Sequence, residues 1–502
     1  MKITRHALGA MAAMLAMSAA FAQPADLLRL SVEQAVNTNP EVTARFNAYR
    51  ASLDAVDVAR AGFRPRVDLA ASVGRDNDRF ANRLPDASQT LIRREVGLNL
   101  TQLLWDGLGT ANDVARFGHD RLARYFELLD ATEQTALEAA RAHFDVQRYR
   151  RLVLLAEDNY VQHRYAYLQI QSRFKAGVGR GVDLEQAGAR VALAESNLTT
   201  EVANLHDVTL RYQRIVGNAP PRELPTLALL RAGLPASPGE AMTTAVRQSA
   251  AVSASIEALR AARATVDGRK SAYQPRIEAR VRSAVGRNVD SLQEQTRNVS
   301  AEVVMNWNLY NGGADQARVR QQTHLLSQAT DLRDKACRDV RQTAAIAYND
   351  TRKLVDQLVY LDRNTLAIEK ARDAYRQQFD IGQRSLLDLL NAENEVYTAR
   401  RAYANAEHDL GFAYARTHAA MDQLGGTLGI SRADNVATDA AGWSQGDDAP
   451  TRCPVIVAEV PSVDHSELDA RAQKMAASAP APVRPAGATS PPAPGPIAPR
   501  QP

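Results

Sequence analysis

The sequence predicts a mixed α and β protein that is mostly α-helical and contains an internal duplication. Three observations predict it. Short motifs recur about 200 residues apart, two stretches of about 67 residues have helical periodicity without proline, and two pairs of segments alternate as strands do. The chain has 502 residues, of which only 6% are aromatic. That is few for a compact core and normal for long helices, so an elongated architecture is favoured over a compact enzyme.

The composition argues against several classes of protein. The 61 Lys and Arg residues barely exceed the 57 Asp and Glu, giving a formal net charge of +4, and a nucleic-acid-binding protein would have a stronger basic excess. The histidines form no metal-binding or catalytic motif. We expect no cofactor, no metal, no disulfide framework and no nucleic-acid partner. Cys337 is expected to be a small packing residue and Cys453 a free thiol.

Residues 1–22 have the features of a secretory signal peptide. A positively charged start is followed by an apolar run and by a small-x-small cleavage site at Ala20-Phe21-Ala22. An uncleaved anchor is the alternative, but it would need about 20 apolar residues. Beyond Phe21 no apolar run is long enough for a transmembrane helix. A membrane-embedded form of the mature chain would therefore have to use β-strands.

The duplication keeps a nearly constant register along the chain. Three motif pairs show it, with offsets of 210, 205 and 205 residues: Phe63-Arg64-Pro65 and Tyr273-Gln274-Pro275, Leu104-Trp105-Asp106-Gly107 and Leu309-Tyr310-Asn311-Gly312, and Phe174-x-x-Gly177 and Phe379-x-x-Gly382. We therefore divide the mature chain into a first repeat, residues 23–225, and a second repeat, residues 226–430.

Each repeat has the same predicted order of a helix, two strands, a long helix and a shorter helix. The predicted helices are Ser31–Ala61, Thr110–Ala176, Asp183–Val216, Glu240–Ala272, Ala314–Ile381 and Ser385–Met421. A 67-residue helix is about 100 Å long. The two shorter helices of a repeat match that length when placed end to end. Each repeat therefore resembles one long helix paired with two short helices, which is too long for a globular core.

Four segments show the period-two alternation of strands. They are residues 67–73, 96–101, 277–282 and 299–308, with a polar turn expected from Asp76 to Gln89. A half-buried sheet of a soluble protein would show the same pattern, but no partner sheet is evident. Four strands cannot close a barrel. Three chains would supply twelve, and an apolar outside with a polar inside suits a shared outer-membrane barrel.

The composition changes at the C-terminal end. Nine of the 22 prolines lie in the last 32 residues, interleaved with alanine. Residues 431–502 are therefore predicted to be a disordered Pro/Ala-rich tail.

The repeated order of helices and strands resembles that of the TolC family of outer-membrane export channels. The resemblance rests on the Asn39-Pro40-Glu41 start, the Phe63-x-Pro65 motif and the two Phe-x-x-Gly helix tips, and it covers about residues 30–428. Segments 177–187 and 311–315 are most similar to the branch that serves type I secretion. The resemblance implies a homotrimer with a twelve-stranded barrel in the outer membrane, in contact with its lipid. A continuous α-helical barrel would extend into the periplasm.

The same resemblance implies partners and a function. A periplasmic adaptor and an inner-membrane ABC transporter would deliver a secreted protein, such as a large adhesin or toxin, to the channel. Drug or small-molecule efflux is the alternative within the family. A non-conducting periplasmic coiled-coil rod is a remote alternative, against which the strand pairs argue. A secreted enzyme is disfavoured because no catalytic constellation is present.

The helix tips are the candidate periplasmic entrance. Glycines suit the positive φ of a tight reversal, and the turns that would meet the adaptor contain Gly177, Gly179, Arg180, Gly181 and Gly382. A phosphate-binding loop is the alternative for the first turn, but the G-x-G-x-x-G spacing is missing.

The resemblance also assigns roles to residues beside the tips. An aspartate pair that attracts cations in the family corresponds to Asp388 and Asn391, so one charge is lost here. Three copies of Asp388 around a threefold axis would still draw in cations. The family's closing latch corresponds to Arg384, to Phe379 in place of a tyrosine, and to the acceptor Asp183. The closed state is therefore expected to be held loosely. The alternative is that both aspartates act only as helix-start charges.

Two tryptophans stand at strand ends. Trp105 and Trp307 each precede a turn, which suits an aromatic belt at the membrane interface. Ordinary strand packing is an equal alternative.

Overall fold

A computed structural model describes residues 24–80, 87–224, 227–291, 293–430, 442–457 and 463–478. The predicted signal peptide lies outside these ranges, as do residues 431–441, 458–462 and 479–502 of the predicted tail. The chain divides into two units, residues 1–456 and 457–502. The second unit contains one described helix, and all other elements belong to the first.

The predicted order of elements is confirmed in both repeats. The first repeat comprises α1 (Pro24–Thr38), α2 (Pro40–Ala61), β1 (Arg66–Phe80), β2 (Ala87–Trp105), α3 (Gly109–Lys175) and α4 (Gly181–Val216). The second comprises α5 (Pro238–Gln248), α6 (Ala250–Lys270), β3 (Arg276–Arg287), β4 (Gln295–Asn306), α7 (Ala314–Asp380) and α8 (Leu386–Ala420). Three short helices follow: α9 (Leu424–Thr427), α10 (Ala449–Arg452) and α11 (His465–Ser478).

The long helices organise the first unit. α3 and α7 have 67 residues each, about 100 Å at 1.5 Å per residue. α3 packs against α2 and α4, and α7 against α6 and α8, which confirms the predicted pairing of one long helix with two shorter ones. α3 also contacts α6 and α8 of the second repeat. A core of small residues, including Ala136, Ala139 and Ala140, lets the helices approach closely at the middle of α3.

The first helix of each repeat is interrupted, so the two predicted continuous helices are wrong at this point. The Asn39 side chain accepts a hydrogen bond from the Glu41 N–H at 2.9 Å and caps α2. Ser249 accepts one from the Val252 N–H at 3.2 Å and caps α6. Pro40 also lacks an N–H group to continue α1. The two caps are 210 residues apart in the chain, so the interruption belongs to the repeated unit.

The strands form one antiparallel sheet in the order β1-β2-β3-β4. Strands β2 and β3 join the two repeats, with Leu98 opposite Ser283. Strands β1 and β2 extend further than predicted, because Asp76 pairs with Leu91 and Asp78 with Gln89 inside the range expected to be a turn. Backbone pairing continues through these polar residues. The period-two pattern of hydrophobic residues therefore ends before the strands do.

Residues 442–456, here called the C-terminal strap, are folded against the helices. Cys453 is bonded to Cys337 of α7 in a disulfide, with a Cα–Cα distance of 5.6 Å. The Trp443 ring lies 4.6 Å from the Phe126 ring of α3, and its Nε1–H donates to the buried Glu257 carboxylate at 2.7 Å. The predicted disorder is therefore wrong for the strap and for α11. The free thiol predicted at Cys453 and the predicted absence of a disulfide are also wrong, whereas Cys337 does pack in the core in addition to forming the disulfide. All nine prolines that suggested disorder lie beyond residue 479.

Candidate functional site

The reversal between α3 and α4 needs glycine at two positions for different reasons. Gly177 has a φ of +78°, which favours glycine. The Gly179 N–H donates to the Arg173 carbonyl at 3.1 Å, and a Cβ added at Gly179 would lie 2.7 Å from the Phe174 nitrogen. Gly181 opens α4, where an added Cβ would have its nearest contact at 3.7 Å. The tightness of this tip therefore depends on Gly177 and Gly179.

The Arg180 side chain is exposed at this tip. Its backbone is extended and holds the N-cap position of α4, without a side-chain capping bond. Arg180 is therefore available at the surface of the described chain.

The second reversal, between α7 and α8, is capped by its own side chains. Gly382 has a φ of +76°. The Ser385 oxygen accepts the Asp388 N–H at 3.2 Å, and its hydroxyl donates to the Asp388 carboxylate at 2.9 Å. Arg384 donates to Gln378 at 3.0 Å and lies 3.8 Å from the Asp388 carboxylate. Asp388 therefore acts as a helix-start charge and keeps a partly exposed side chain beside a cation.

Phe379 joins the two tips. It is buried in a cluster to which all four neighbouring helices contribute: Ala166, Ile170, Ala187, Leu386, Leu389 and Leu390. The Arg173 guanidinium lies 4.9 Å from the centre of its ring. Where the resemblance suggested a latch position, the described chain shows a packing residue that holds one hairpin against the other.

Asn391 and Asp183 differ in their surroundings. Asn391 accepts a hydrogen bond from Arg190 of α4 at 2.7 Å, which is a second link between the hairpins. Asp183 is half-buried in the first turn of α4. Its side chain has no ion pair or hydrogen bond with any other described residue. A single chain thus brings Arg384 to Asp388 and does not bring it to Asp183.

A buried carboxylate near the tip was not found by sequence reasoning. Glu393 is only 6% exposed. Its carboxylate accepts a hydrogen bond from the Arg372 guanidinium at 3.2 Å and another from the Arg376 guanidinium. Arg376 also donates to Gln162 of α3 at 2.8 Å. The two arginines are four residues apart on one face of α7, and that spacing was the available signal. This network fixes α7 against α8 above the second tip.

The other end of the long helices carries the sheet, whose two faces differ sharply. Register places apolar side chains on one face, here called the apolar face, and every Asp and Glu of the described strands on the other. Arginines of the charged face are paired with these carboxylates: Arg66–Asp68, Arg93–Asp76, Arg282–Glu95, and Arg276 and Arg280 with Glu278. Such a difference between faces suits a boundary between an apolar and an aqueous medium.

The tryptophans lie at the helix-side end of this sheet. A bulge between Leu103 and Trp105 shifts the register, so that Trp105 is opposite Ile277 on the apolar face. Trp307 directly follows β4, and its Nε1–H donates to the Tyr273 carbonyl at 3.2 Å. Both rings are about half exposed in a single chain.

Within the described ranges, no helix has the length and apolar character that a membrane crossing requires. The same ranges contain no group of three His, Cys, Asp or Glu side chains placed to hold a metal ion.

Comparison with known proteins identifies relatives over both repeats. The profile of a family described as outer membrane efflux protein matches residues 31–217 and 242–421. The outer membrane efflux protein BepC of Brucella suis is 27% identical over 379 residues, which are 74% of this chain and 80% of BepC. The alkaline protease secretion protein AprF of Pseudomonas aeruginosa is 28% identical over 263 residues, or 49% of this chain and 52% of AprF.

Solved structures share the fold. The Campylobacter jejuni CmeC outer membrane channel superposes with a TM-score of 0.73 at 14% identity, covering 83% of this chain and 89% of CmeC. Together with the match over both repeats, this confirms the resemblance stated from the motifs. The chain belongs to the outer membrane efflux protein family, the TolC-like channels, and is a non-enzymatic outer-membrane protein that extends into the periplasm.

Proposed function

We propose that three copies of the chain form an export duct across the outer membrane and the periplasm. The open edges of the sheet carry this proposal. β1 has 15 residues and β4 has 12, and neither has a partner strand on its outer side in the described chain. Unpaired backbone groups in lipid cost several kcal/mol each, so edges of this length need a partner. Three sheets joined edge to edge give a closed barrel of twelve strands, within the range of outer-membrane barrels.

The helices support the same trimer. α7 buries few side chains within one chain, and it exposes apolar residues along its length, including Leu332, Val359 and Leu366. Exposed apolar side chains of this kind are expected to pack on neighbouring copies. Each copy would then contribute its two repeats, residues 23–225 and 226–430, to a continuous helical tunnel.

The proposed cargo is a secreted protein, delivered by a periplasmic adaptor and an inner-membrane ABC transporter in type I secretion. The likeness to AprF, named for alkaline protease secretion, supports it, as does the glycine-rich first tip. Efflux of small molecules is the second candidate, because the family description and the name of BepC both specify efflux.

The helical tips would form the periplasmic entrance. Their turns, with Gly177, Gly179, Arg180, Gly181 and Gly382, offer an exposed docking point for the adaptor. Three copies of Asp388 around the axis would give the entrance its cation preference. We assign closure to contacts of Arg384 with Asp183 of a neighbouring copy, for which Arg384 must leave its own Asp388 at 3.8 Å.

Deletion of the gene, followed by complementation, tests the two cargoes. Secretion predicts that a large protein disappears from the culture medium and returns on complementation, while the minimum inhibitory concentrations of dyes and antibiotics stay unchanged. Efflux predicts the reverse pattern. If neither property changes, the protein is a structural rod, and the duct proposal is wrong.

A further inference from the structure

An arginine interrupts the apolar face of each strand near the end of the sheet that is farther from the helices, and on β2 one more apolar residue, Ile92, follows it. Going away from the helices, the apolar face continues through alternate residues to Val73, Val96, Val285 and Val299 on the four strands. The next residues on that face are Arg75, Arg94, Arg287 and Arg297. We call these four side chains the arginine row. The register staggers these arginines. Arg94 and Arg287 are at one level, Arg75 is one position of that face farther from the helices, and Arg297, opposite Val285, is one position nearer to them, so the four form an oblique band across the sheet.

The arginine row lacks counter-charges, unlike the arginines of the charged face. All four side chains are exposed. Within the described part of the chain, none of them makes an ion pair or a side-chain hydrogen bond. The contrast is sharpest on β2, where Arg93 of the charged face contacts Asp76 at 3.1 Å and the adjacent Arg94 has no carboxylate. The described strands carry no Asp or Glu on the apolar face at all.

Register places two of these arginines side by side. Arg94 is directly opposite Arg287 in the β2–β3 pair. Like charges directly opposite each other destabilise a sheet. An anion held between the two guanidinium groups would remove that repulsion, and a phosphate suits them because it accepts paired N–H donors from arginine. The row is therefore incomplete without an external anion.

The distance of the row from the helix end of the sheet indicates where that anion comes from. From Val67 to Val73 the apolar face of β1 has six residue steps, about 20 Å along the strand. From Ile277 to Val285 β3 has eight steps, about 27 Å. These lengths lie on either side of the roughly 25 Å apolar band of outer-membrane strands. The row thus begins where lipid tails end and headgroups start, on the side away from the periplasmic helices.

We propose that the arginine row binds the phosphate groups of phosphorylated lipids in the outer leaflet of the outer membrane. The apolar face below contacts the acyl chains, and the row fixes the headgroups, so one lipid is held at both ends. This inference depends on the outer-membrane location and is independent of whether the cargo is a protein or a drug.

Native mass spectrometry of the full-length detergent-purified protein tests the proposal. The probe is lipid A carrying two phosphates, compared with the same lipid after dephosphorylation. The double variant Arg94→Gln/Arg287→Gln is expected to retain the phosphorylated lipid roughly 25-fold more weakly, at about a factor of five for each arginine near an anionic surface. The matched control is Glu95→Gln/Arg282→Gln, which removes a complete ion pair from the opposite face, and it should bind as the wild type does.

A second pair of variants and a competition experiment complete the test. If Arg94→Gln/Arg287→Gln does not fold, Arg75→Gln/Arg297→Gln removes the other half of the row and should give the same loss. Inorganic phosphate at millimolar concentration should leave the lipid bound, because it cannot replace the acyl-chain contacts. Equal retention of lipid by the arginine variants and the control, equal binding of the dephosphorylated lipid, or full displacement by inorganic phosphate would each overturn the proposal.

Discussion

At the residue scale, two half-buried carboxylates, Glu133 and Asp422, hold helix ends together where the repeats meet. Glu133 of α3 accepts the Gly425 N–H at 3.3 Å and also the Leu424 N–H. Asp422 accepts the Ala250 N–H at 2.6 Å, at the start of α6. Burial, with the charge of Asp422 nearby, raises the pKa of Glu133 to about 7. Burial also raises the pKa of Asp422 to about 6. The junction of α3, α6 and α9 is therefore sensitive to pH.

We predict that Glu133→Gln reduces the loss of stability at higher pH. The raised pKa means that the folded protein holds this proton more tightly than the unfolded chain does. Its contribution is present below the ordinary pKa of 4.5 and is lost as pH rises through about 7. The wild type should lose roughly 2 kcal/mol more than the variant between about pH 5 and about pH 8.

Thermal unfolding at the two pH values measures this difference. The exposed Glu138 lies in the same helix, and Glu138→Gln is the control that should follow the wild type. Identical losses in the wild type and Glu133→Gln would contradict the assignment.

Asp388 is expected to set the cation preference of the entrance. Asp388→Asn removes three negative charges from a trimer and keeps an oxygen that can accept the Ser385 hydroxyl. The ratio of cation to anion permeability should fall several-fold, and block by multivalent cations should weaken. Reversal potentials in a salt gradient measure the ratio. An unchanged ratio in Asp388→Asn would show that Asp388 is only a capping residue.

At the element scale, a prediction concerns the first tip, the reversal between α3 and α4. Gly179→Ala places a Cβ 2.7 Å from the Phe174 nitrogen, so the turn must shift. Gly181→Ala meets nothing closer than 3.7 Å. We expect Gly179→Ala to weaken adaptor binding by at least about tenfold, since a displaced turn loses well-fitted contacts worth about 1.4 kcal/mol or more. Gly181→Ala should bind normally. Surface plasmon resonance with the purified adaptor distinguishes them, and equal affinities would remove the tip from the adaptor interface.

A second prediction at this scale concerns the disulfide that holds the C-terminal strap. The disulfide joins residues separated by 116 positions, and a disulfide typically stabilises a protein by about 2–4 kcal/mol, with longer loops at the upper end. Cys337→Ser/Cys453→Ser should therefore lower the melting temperature and expose the strap to proteases. Trp443→Ala keeps the disulfide and should leave the strap attached. A double-serine variant as stable and protease-resistant as the wild type would mean that the strap is held by its hydrogen bonds alone.

Sequence patterns predicted the elements better than their contacts. The absence of proline and the 3.6-residue period found α3 to within one residue at each end, because a helix is a local structure. The Asn39-Pro40 and Ser249 interruptions were missed because the apolar period continues through them, although Pro40 was a local signal. The Cys337–Cys453 bond, the strap and the Glu393 network were missed because they join residues distant in the chain. The position of Phe379 between the tips likewise depends on tertiary packing.

At the scale of the whole molecule, a single chain leaves two kinds of surface uncovered. The strand edges need backbone partners, and the exposed apolar residues of α7 need side-chain partners. One threefold assembly satisfies both, because neighbouring copies would meet along the sheet and along the helices at once. The export duct therefore depends on a closed trimer, and a pore through that trimer is the central claim.

Conductance of the purified full-length protein in a planar lipid bilayer tests that claim most directly. The duct predicts discrete current steps that favour cations, with larger steps after Asp183→Ala/Arg384→Ala loosens the entrance. Folded protein that never conducts, even with both entrance residues replaced, would contradict the duct and favour a non-conducting rod.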